Sequence, residues 1–210
     1  MIPYQSITYK ESTICIVENS YSIEQLMNEL SEPKLYAHDL EKLKTEHRKK
    51  EFLAIRIALK KVFKGEEKQI EYTYDGKPML KDGTHKISFS HCQRSVAVMT
   101  HPTKEVGIDI EILSNKLLKI HKRFLGESEL AEYAKNESIE YLRIAWSVKE
   151  ALYKIIGDTA YNFAEQLQIL PFEMDKIGIL EVIHTDTKKS YFVNYLLTDT
   201  YTLAYCIDNE

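Results

Sequence analysis

Residues 105–112, which read Glu-Val-Gly-Ile-Asp-Ile-Glu-Ile, constrain the fold of this chain more than any other stretch. Strict alternation of apolar and polar positions predicts a β-strand. Val106, Ile108, Ile110 and Ile112 share one face, and Gly107, Asp109 and Glu111 share the other. The first set predicts a core face. The second presents two carboxylates two residues apart, which repel each other unless water or a cation neutralises them. A D-x-E pair of this kind is usually the solvated face of an edge strand.

The chain is long enough, at 210 residues and 44% hydrophobic content, to bury one large core or two small ones. A formal charge of −4 argues against general affinity for nucleic acid or anionic membranes. Cys15, Cys92 and Cys206 are odd in number and far apart, with no C-x-x-C spacing. That fits a reducing cytoplasm better than a disulfide framework or a zinc site. No basic segment followed by an apolar run opens the sequence, and no apolar run is long enough to span a bilayer. The expectation is a soluble cytoplasmic protein.

On either side of the central strand the pattern runs helix, then strands. A strand is predicted over 12–17, a short helix opened by the Ser22/Gln25 capping box, and a long helix over 39–63 ending at Gly65. Leu43, Phe52, Ile55, Leu59, Val62 and Phe63 are its candidate buried stripe, and its other faces are basic. Such a charge run is usually solvated, but Arg48 and Arg56 could serve an anion site, because guanidinium forks suit phosphate. A strand over 69–74 leads to Asp75-Gly76-Lys77-Pro78, a turn in which Gly76 permits close approach to the backbone and Lys77 offers a point charge. Strands over 87–91 and 95–100 follow. Ser90 and His91 are strand neighbours pointing to opposite faces, and no glycine-flanked nucleophile turn surrounds Ser90, so serine-hydrolase chemistry is disfavoured.

Past the carboxylate strand, helices are predicted over 115–125, 127–135 and 138–156, and strands over 177–183, 190–197 and 201–207. The last helix contains Trp146-Ser147-Val148-Lys149-Glu150-Ala151-Leu152-Tyr153-Lys154. Glu150 and Lys154 are four apart and share a face. Alone they are an ordinary surface pair. Beside Asp109 and Glu111 they add a third carboxylate and a cation, which suits Mg²⁺-assisted phosphoryl chemistry.

Four motifs in this order, Gly76-Lys77-Pro78, Ser88-Phe89-Ser90-His91, residues 106–111 and residues 146–154, closely resemble the 4′-phosphopantetheinyl transferases of the large, single-chain, surfactin-synthetase-type class. The similarity covers roughly residues 48–157. The resemblance implies an α+β fold, a pseudo-dimer of two similar halves over 1–103 and 104–210 with the active site between them. It implies transfer of phosphopantetheine from coenzyme A to a serine of an apo acyl or peptidyl carrier protein, by a monomer needing no membrane or nucleic acid. By motif, Asp109, Glu111 and Glu150 hold Mg²⁺, or Mn²⁺ in its place, against the pyrophosphate. Lys154 contacts the pyrophosphate and protonates the leaving phosphate. Lys77 and His91 meet the 3′-phosphate, Arg48 is a further phosphate contact, and Gly76, Pro78 and Ser90 border the nucleotide. Where the family carries F-S-x-x-E, this chain has Leu125-Gly126-Glu127-Ser128-Glu129. The base is therefore Glu129, Glu150 or a water on the metal. The rival readings are a metal-dependent phosphohydrolase or nuclease using the same carboxylates, and a non-catalytic binding module of the same fold.

Overall fold

A computed structural model describes residues 2–157 and 162–208. The chain divides into two compact units, Met1–Thr103 and Lys104–Glu210. Both are mixed α/β, and among the described residues all strand pairing is antiparallel.

The first unit opens with β1 (Tyr4–Tyr9), β2 (Ser12–Glu18) and α1 (Ile23–Asn28). Two helices follow, α2 (Ala37–Lys42) and α3 (Glu46–Val62). β3 (Ile70–Tyr72), β4 (Pro78–Leu80), β5 (Lys86–His91) and β6 (Ser95–His101) complete it. Four strands form a sheet in the order β1-β2-β6-β5, and β3 and β4 pair apart from it. The helix expected over 39–63 is thus two helices. Leu43 turns extended at ψ 120°, and the Thr45 side chain accepts from the Arg48 N–H, so a fresh N-cap starts α3. Leu53, Ile57 and Leu59 of α3 are fully buried, while Phe52, Val62 and Phe63 are partly buried beside that core. The sequence pattern does not predict β1, because its largely exposed residues carry no clear alternation.

The second unit begins with β7 (Val106–Ile112), α4 (Lys116–Ile120), α5 (Glu127–Tyr133) and α6 (Ile139–Ile156). It continues with α7 (Phe163–Gln166), β8 (Leu167–Ile169), β9 (Ile177–His184), β10 (Ser190–Leu197) and β11 (Tyr201–Ile207). The sheet order is β7-β11-β10-β9-β8. Register places Thr202 opposite Glu111 and Ala204 opposite Asp109.

α6 lies across β7, β11 and β10 and organises this core. Ser138 caps its start by accepting from the Tyr141 N–H, and Gly157 ends it at φ 74°, a conformation glycine adopts freely. Leu142, Val148 and Leu152 are fully buried, each contributing roughly 1.5–3 kcal/mol through loss of apolar surface to water. The carboxylate face of β7 is the face turned towards α6, not an open outer face. Gly107 shows why: a Cβ there would lie 1.9 Å from the Ala151 carbonyl oxygen. Ile108 and Ile110 on the other face are also fully buried. β7 is covered on both sides.

Gly107→Ala must therefore push the α6 backbone away, a cost of about 2 kcal/mol or more. Urea unfolding of the variant should show that loss; a change under about 0.5 kcal/mol, typical of a surface substitution, would contradict the close approach.

Candidate functional site

Each unit holds a cluster of charged side chains. In the second unit β7 supplies Asp109 and Glu111, and α6 supplies Trp146, Glu150 and Lys154. The α6 residues recur every four positions and so share one helix face. Because Gly107 lets that helix settle onto the strand, the two sets meet. Lys154 Nζ donates to the Ile108 carbonyl at 2.6 Å and to Asp109 Oδ1 at 3.2 Å. Trp146 Nε1 donates to Glu111 Oε1 at 3.0 Å. Asp109 is 4% exposed. The Glu150–Lys154 pair is accordingly not a surface ion pair, since Lys154 reaches across to the strand.

These carboxylates strain against one another. Burial pushes Glu150 up from its ordinary value to about 7, Asp109 adds to the rise, Lys154 opposes it and Glu111 adds a little more. Glu111 is also raised, first by burial and then by Asp109, against the Trp146 hydrogen bond and the Lys154 and Lys116 charges. One ammonium does not neutralise three carboxylates in so dry a place. Among the described residues, no group of three or more His, Cys, Asp or Glu side chains stands arranged so that it could hold a metal ion. Carboxylate oxygens are nevertheless the donor type that a hard divalent cation takes, and such a cation would relieve their repulsion.

Glu129 lies in a different setting. It is 2% exposed, and both its oxygens are engaged. Oε2 accepts from the Gly126 N–H at 2.7 Å and from Lys149 Nζ at 2.6 Å, and Oε1 accepts from the Ile169 N–H at 3.1 Å. Lys149 is fully buried and also donates to the carbonyls of Phe124 at 2.7 Å and Phe163 at 3.2 Å. Removing one partner of such a pair strands the other charge, at a cost of about 3–5 kcal/mol. Glu129 is thus built as a clasp tying α5, α6 and β8 together. A group whose oxygens are so occupied is poorly placed to collect a proton.

In the first unit the turn between β3 and β4 is closed by the Gly76 N–H donating to the Thr73 carbonyl at 2.9 Å. Gly76 has φ 84°, the left-handed conformation that favours glycine. Lys77 follows it, and Pro78 begins β4, paired with Tyr72. On β5, Ser90 is buried, and His91 lies on the opposite face. There His91 meets α3: Arg48 Nη1 lies 3.1 Å from His91 Nε2, and His91 Nδ1 lies 2.8 Å from Glu51 Oε1. Arg48 and His91, forty-three residues apart in sequence, are therefore brought together.

Sequence reasoning misses four members of these clusters. Lys149 could be found, because Leu142, Ala145, Lys149 and Leu152 form one apolar helical stripe with a lysine in it. Glu51 could be found as the residue three after Arg48 and four after His47. Trp146 stands out in the sequence for its bulk rather than its N–H. Arg143 carries no signal: it is 3% exposed, its Nε and Nη2 have no hydrogen-bond partner among the described residues, and burial pulls its pKa below the ordinary value against the opposing charges of Glu140 and Glu111.

Comparison with known proteins bears on the second unit most directly. Residues 105–206 match the 4′-phosphopantetheinyl transferase superfamily. The 4′-phosphopantetheinyl transferase gsp of Aneurinibacillus migulanus is 34% identical over 119 residues, 54% of this chain and 46% of that protein. The 4′-phosphopantetheinyl transferase HetI of a Nostoc species is 29% identical over 163 residues, 67% of this chain and 68% of that protein. The first match spans about half of the relative's length. The resemblance read from the motifs is borne out by the family match and by both relatives, which are enzymes of that name. No helix among the described residues is long and apolar enough to cross a membrane.

The raised Glu150 pKa makes a prediction for the metal-free protein. With a folded value of about 7 against 4.5 for the ordinary group, the folded state keeps the proton that the unfolded state releases. Stability is then full below pH 4.5 and falls as pH rises through 7, by up to about 3 kcal/mol. Glu150→Gln has no such proton to lose. In EDTA its stability relative to the wild type should grow between pH 5 and pH 8; a gap that does not change with pH would show that Glu150 is not raised.

Proposed function

We propose that this chain, whose residues 105–206 carry the superfamily pattern, transfers the 4′-phosphopantetheine arm of coenzyme A to a serine of an apo acyl or peptidyl carrier protein. The observation that carries the reading is the cluster of Asp109, Glu111 and Glu150, three crowded carboxylates whose repulsion calls for a divalent cation. In the reaction the serine Oγ–P bond forms, the P–O bond within the coenzyme A pyrophosphate breaks, and adenosine 3′,5′-bisphosphate leaves.

Asp109, Glu111 and Glu150 would hold the metal, with Mg²⁺ favoured because it prefers carboxylate and water oxygens. When bound, it would neutralise the pyrophosphate charge that builds as the bond breaks. Trp146 fixes the Glu111 carboxylate through its N–H. Lys154, anchored on the Ile108 carbonyl and Asp109, is an ammonium beside the site and would supply the proton for the leaving phosphate. Glu150 is the preferred acceptor of the serine proton, because the Glu129 oxygens are occupied by Lys149 and two backbone N–H groups.

The first unit would bind the nucleotide end. Arg48 would supply the charge there with His91 beside it, Lys77 on the β3–β4 turn would be a further phosphate contact, and Gly76, Pro78 and Ser90 would border the nucleotide. A pseudo-dimeric origin for the two units belongs to the same proposal. Each unit lays one long helix on an antiparallel sheet, α3 on β2 and β6, and α6 on β7, β10 and β11, which supports it. A chain carrying both halves works as a monomer.

Asp109→Asn and Glu150→Gln should each lower the turnover of labelled coenzyme A onto an apo carrier protein by at least about a hundredfold. If Glu150→Gln retains transfer within twofold of the wild type, the carboxylate cluster is not the catalytic centre.

A further inference from the structure

A cavity of about 380 Å³ opens in the second unit where the end of α5, the first turn of α6 and residues 172–174 meet. No member of the carboxylate cluster lines it. Its wall is aromatic. The Tyr141 and Phe172 rings are stacked, 5.5 Å apart and 9° from parallel, and Tyr133 stands 6.2 Å from Tyr141. Met174, 46% exposed, completes the apolar lining, and Glu132 and Glu173 add two carboxylates. Among the described residues that line the cavity there is no Lys, Arg or His.

The wall is held in place. Phe172 belongs to the segment between β8 and β9, which is tied at both ends. The Leu170 N–H donates to the Glu181 carbonyl at 3.0 Å, and the Asp175 N–H donates to the Tyr195 hydroxyl at 3.1 Å. The Phe172 ring also packs edge-on against Tyr195, 6.3 Å away. Tyr141 is 9% exposed, and its hydroxyl donates to the Glu129 carbonyl at 3.4 Å. Burial pushes that phenol up and the Glu129 and Glu132 charges add to the rise, so it stays neutral. Ring faces and carboxylates side by side attract a positive charge and repel a negative one. Glu132 already shares Lys135 at 2.5 Å, in a pair whose lysine is open to solvent and which contributes little. Glu173 is exposed and has no ion-pair or hydrogen-bond partner among the described residues.

We propose that this cavity binds a small organic cation, an alkylammonium whose charged head lies against the Tyr133, Tyr141 and Phe172 rings with Glu173 beside it. A bare metal ion would gain little from a wall of ring carbon and sulfur, because hard cations take oxygen. An anion would meet only like charge. A neutral apolar molecule would fill the space but leave the Glu173 charge unanswered. The volume suits a free small molecule. The site is independent of the transferase reading, since Asp109, Glu111 and Glu150 take no part in it.

The test is an NMR titration of the full chain carrying labelled methionine methyl groups, with the Met174 signal identified by Met174→Leu. Choline and 3,3-dimethylbutan-1-ol share one shape, and only choline is charged. At an ionic strength held constant with sodium chloride, choline should move the Met174 signal saturably. It should bind at least about tenfold more tightly than its neutral twin. Glu173→Gln alters an exposed side chain and leaves the core untouched; it should weaken choline by about threefold and leave the alcohol unchanged. Phe172→Leu keeps an apolar side chain but removes a ring face, and should weaken choline by about tenfold. Equal affinity for choline and the alcohol, no saturable shift with choline, or a choline affinity that either variant leaves unchanged would each overturn the proposal.

Discussion

The closeness of α6 to β7 is the constraint on which the second unit depends. It exists because residue 107 has no side chain to hold the Ala151 carbonyl away. Once the backbones are that close, residues at 109 and 111 on the strand and at 146, 150 and 154 on the helix are forced into one small volume. Apolar residues on the rest of α6 supply the free energy to keep them there. The outcome is a group of carboxylates in a place where carboxylates are uncomfortable, as the rise of Glu150 to about 7 records. Such tension suits a site whose ground state is completed by a cation.

The two buried glutamates show how similar residues take different parts. Glu129 is satisfied: a buried lysine and two backbone N–H groups fill both oxygens, and the pair locks α5, α6 and β8. Glu51 is satisfied too, but by side chains that are themselves open to solvent. The first arrangement ends in the core. The second ends at the surface, on side chains open to solvent. Glu150, by contrast, is left in repulsion with its neighbours, and that difference is the ground for proposing it, rather than Glu129, as the proton acceptor.

Much of this is legible in the amino-acid sequence alone. Alternation at 106–112 marks a strand and names its two carboxylates, and the four-residue spacing of Glu150 and Lys154 puts them on one face. The motifs together carry the family resemblance. What the sequence does not convey is which side of β7 the main helix covers, because an alternating strand looks alike whether one face or both are buried. Nor does it mark the break at Leu43, where a single capping threonine decides that one basic run becomes two helices. Lys149 is hidden for a general reason: charged residues in helices are assumed to face water, and only their place in the apolar stripe says otherwise.

The measurement that tests the central claim most directly is the intact mass of an apo acyl carrier protein after incubation with this protein, coenzyme A and Mg²⁺, with a parallel sample in EDTA. The account predicts a gain of one phosphopantetheine arm, roughly 340 Da on a serine, that EDTA abolishes. No gain with any of several unrelated carriers, or a gain that EDTA leaves untouched, would contradict it.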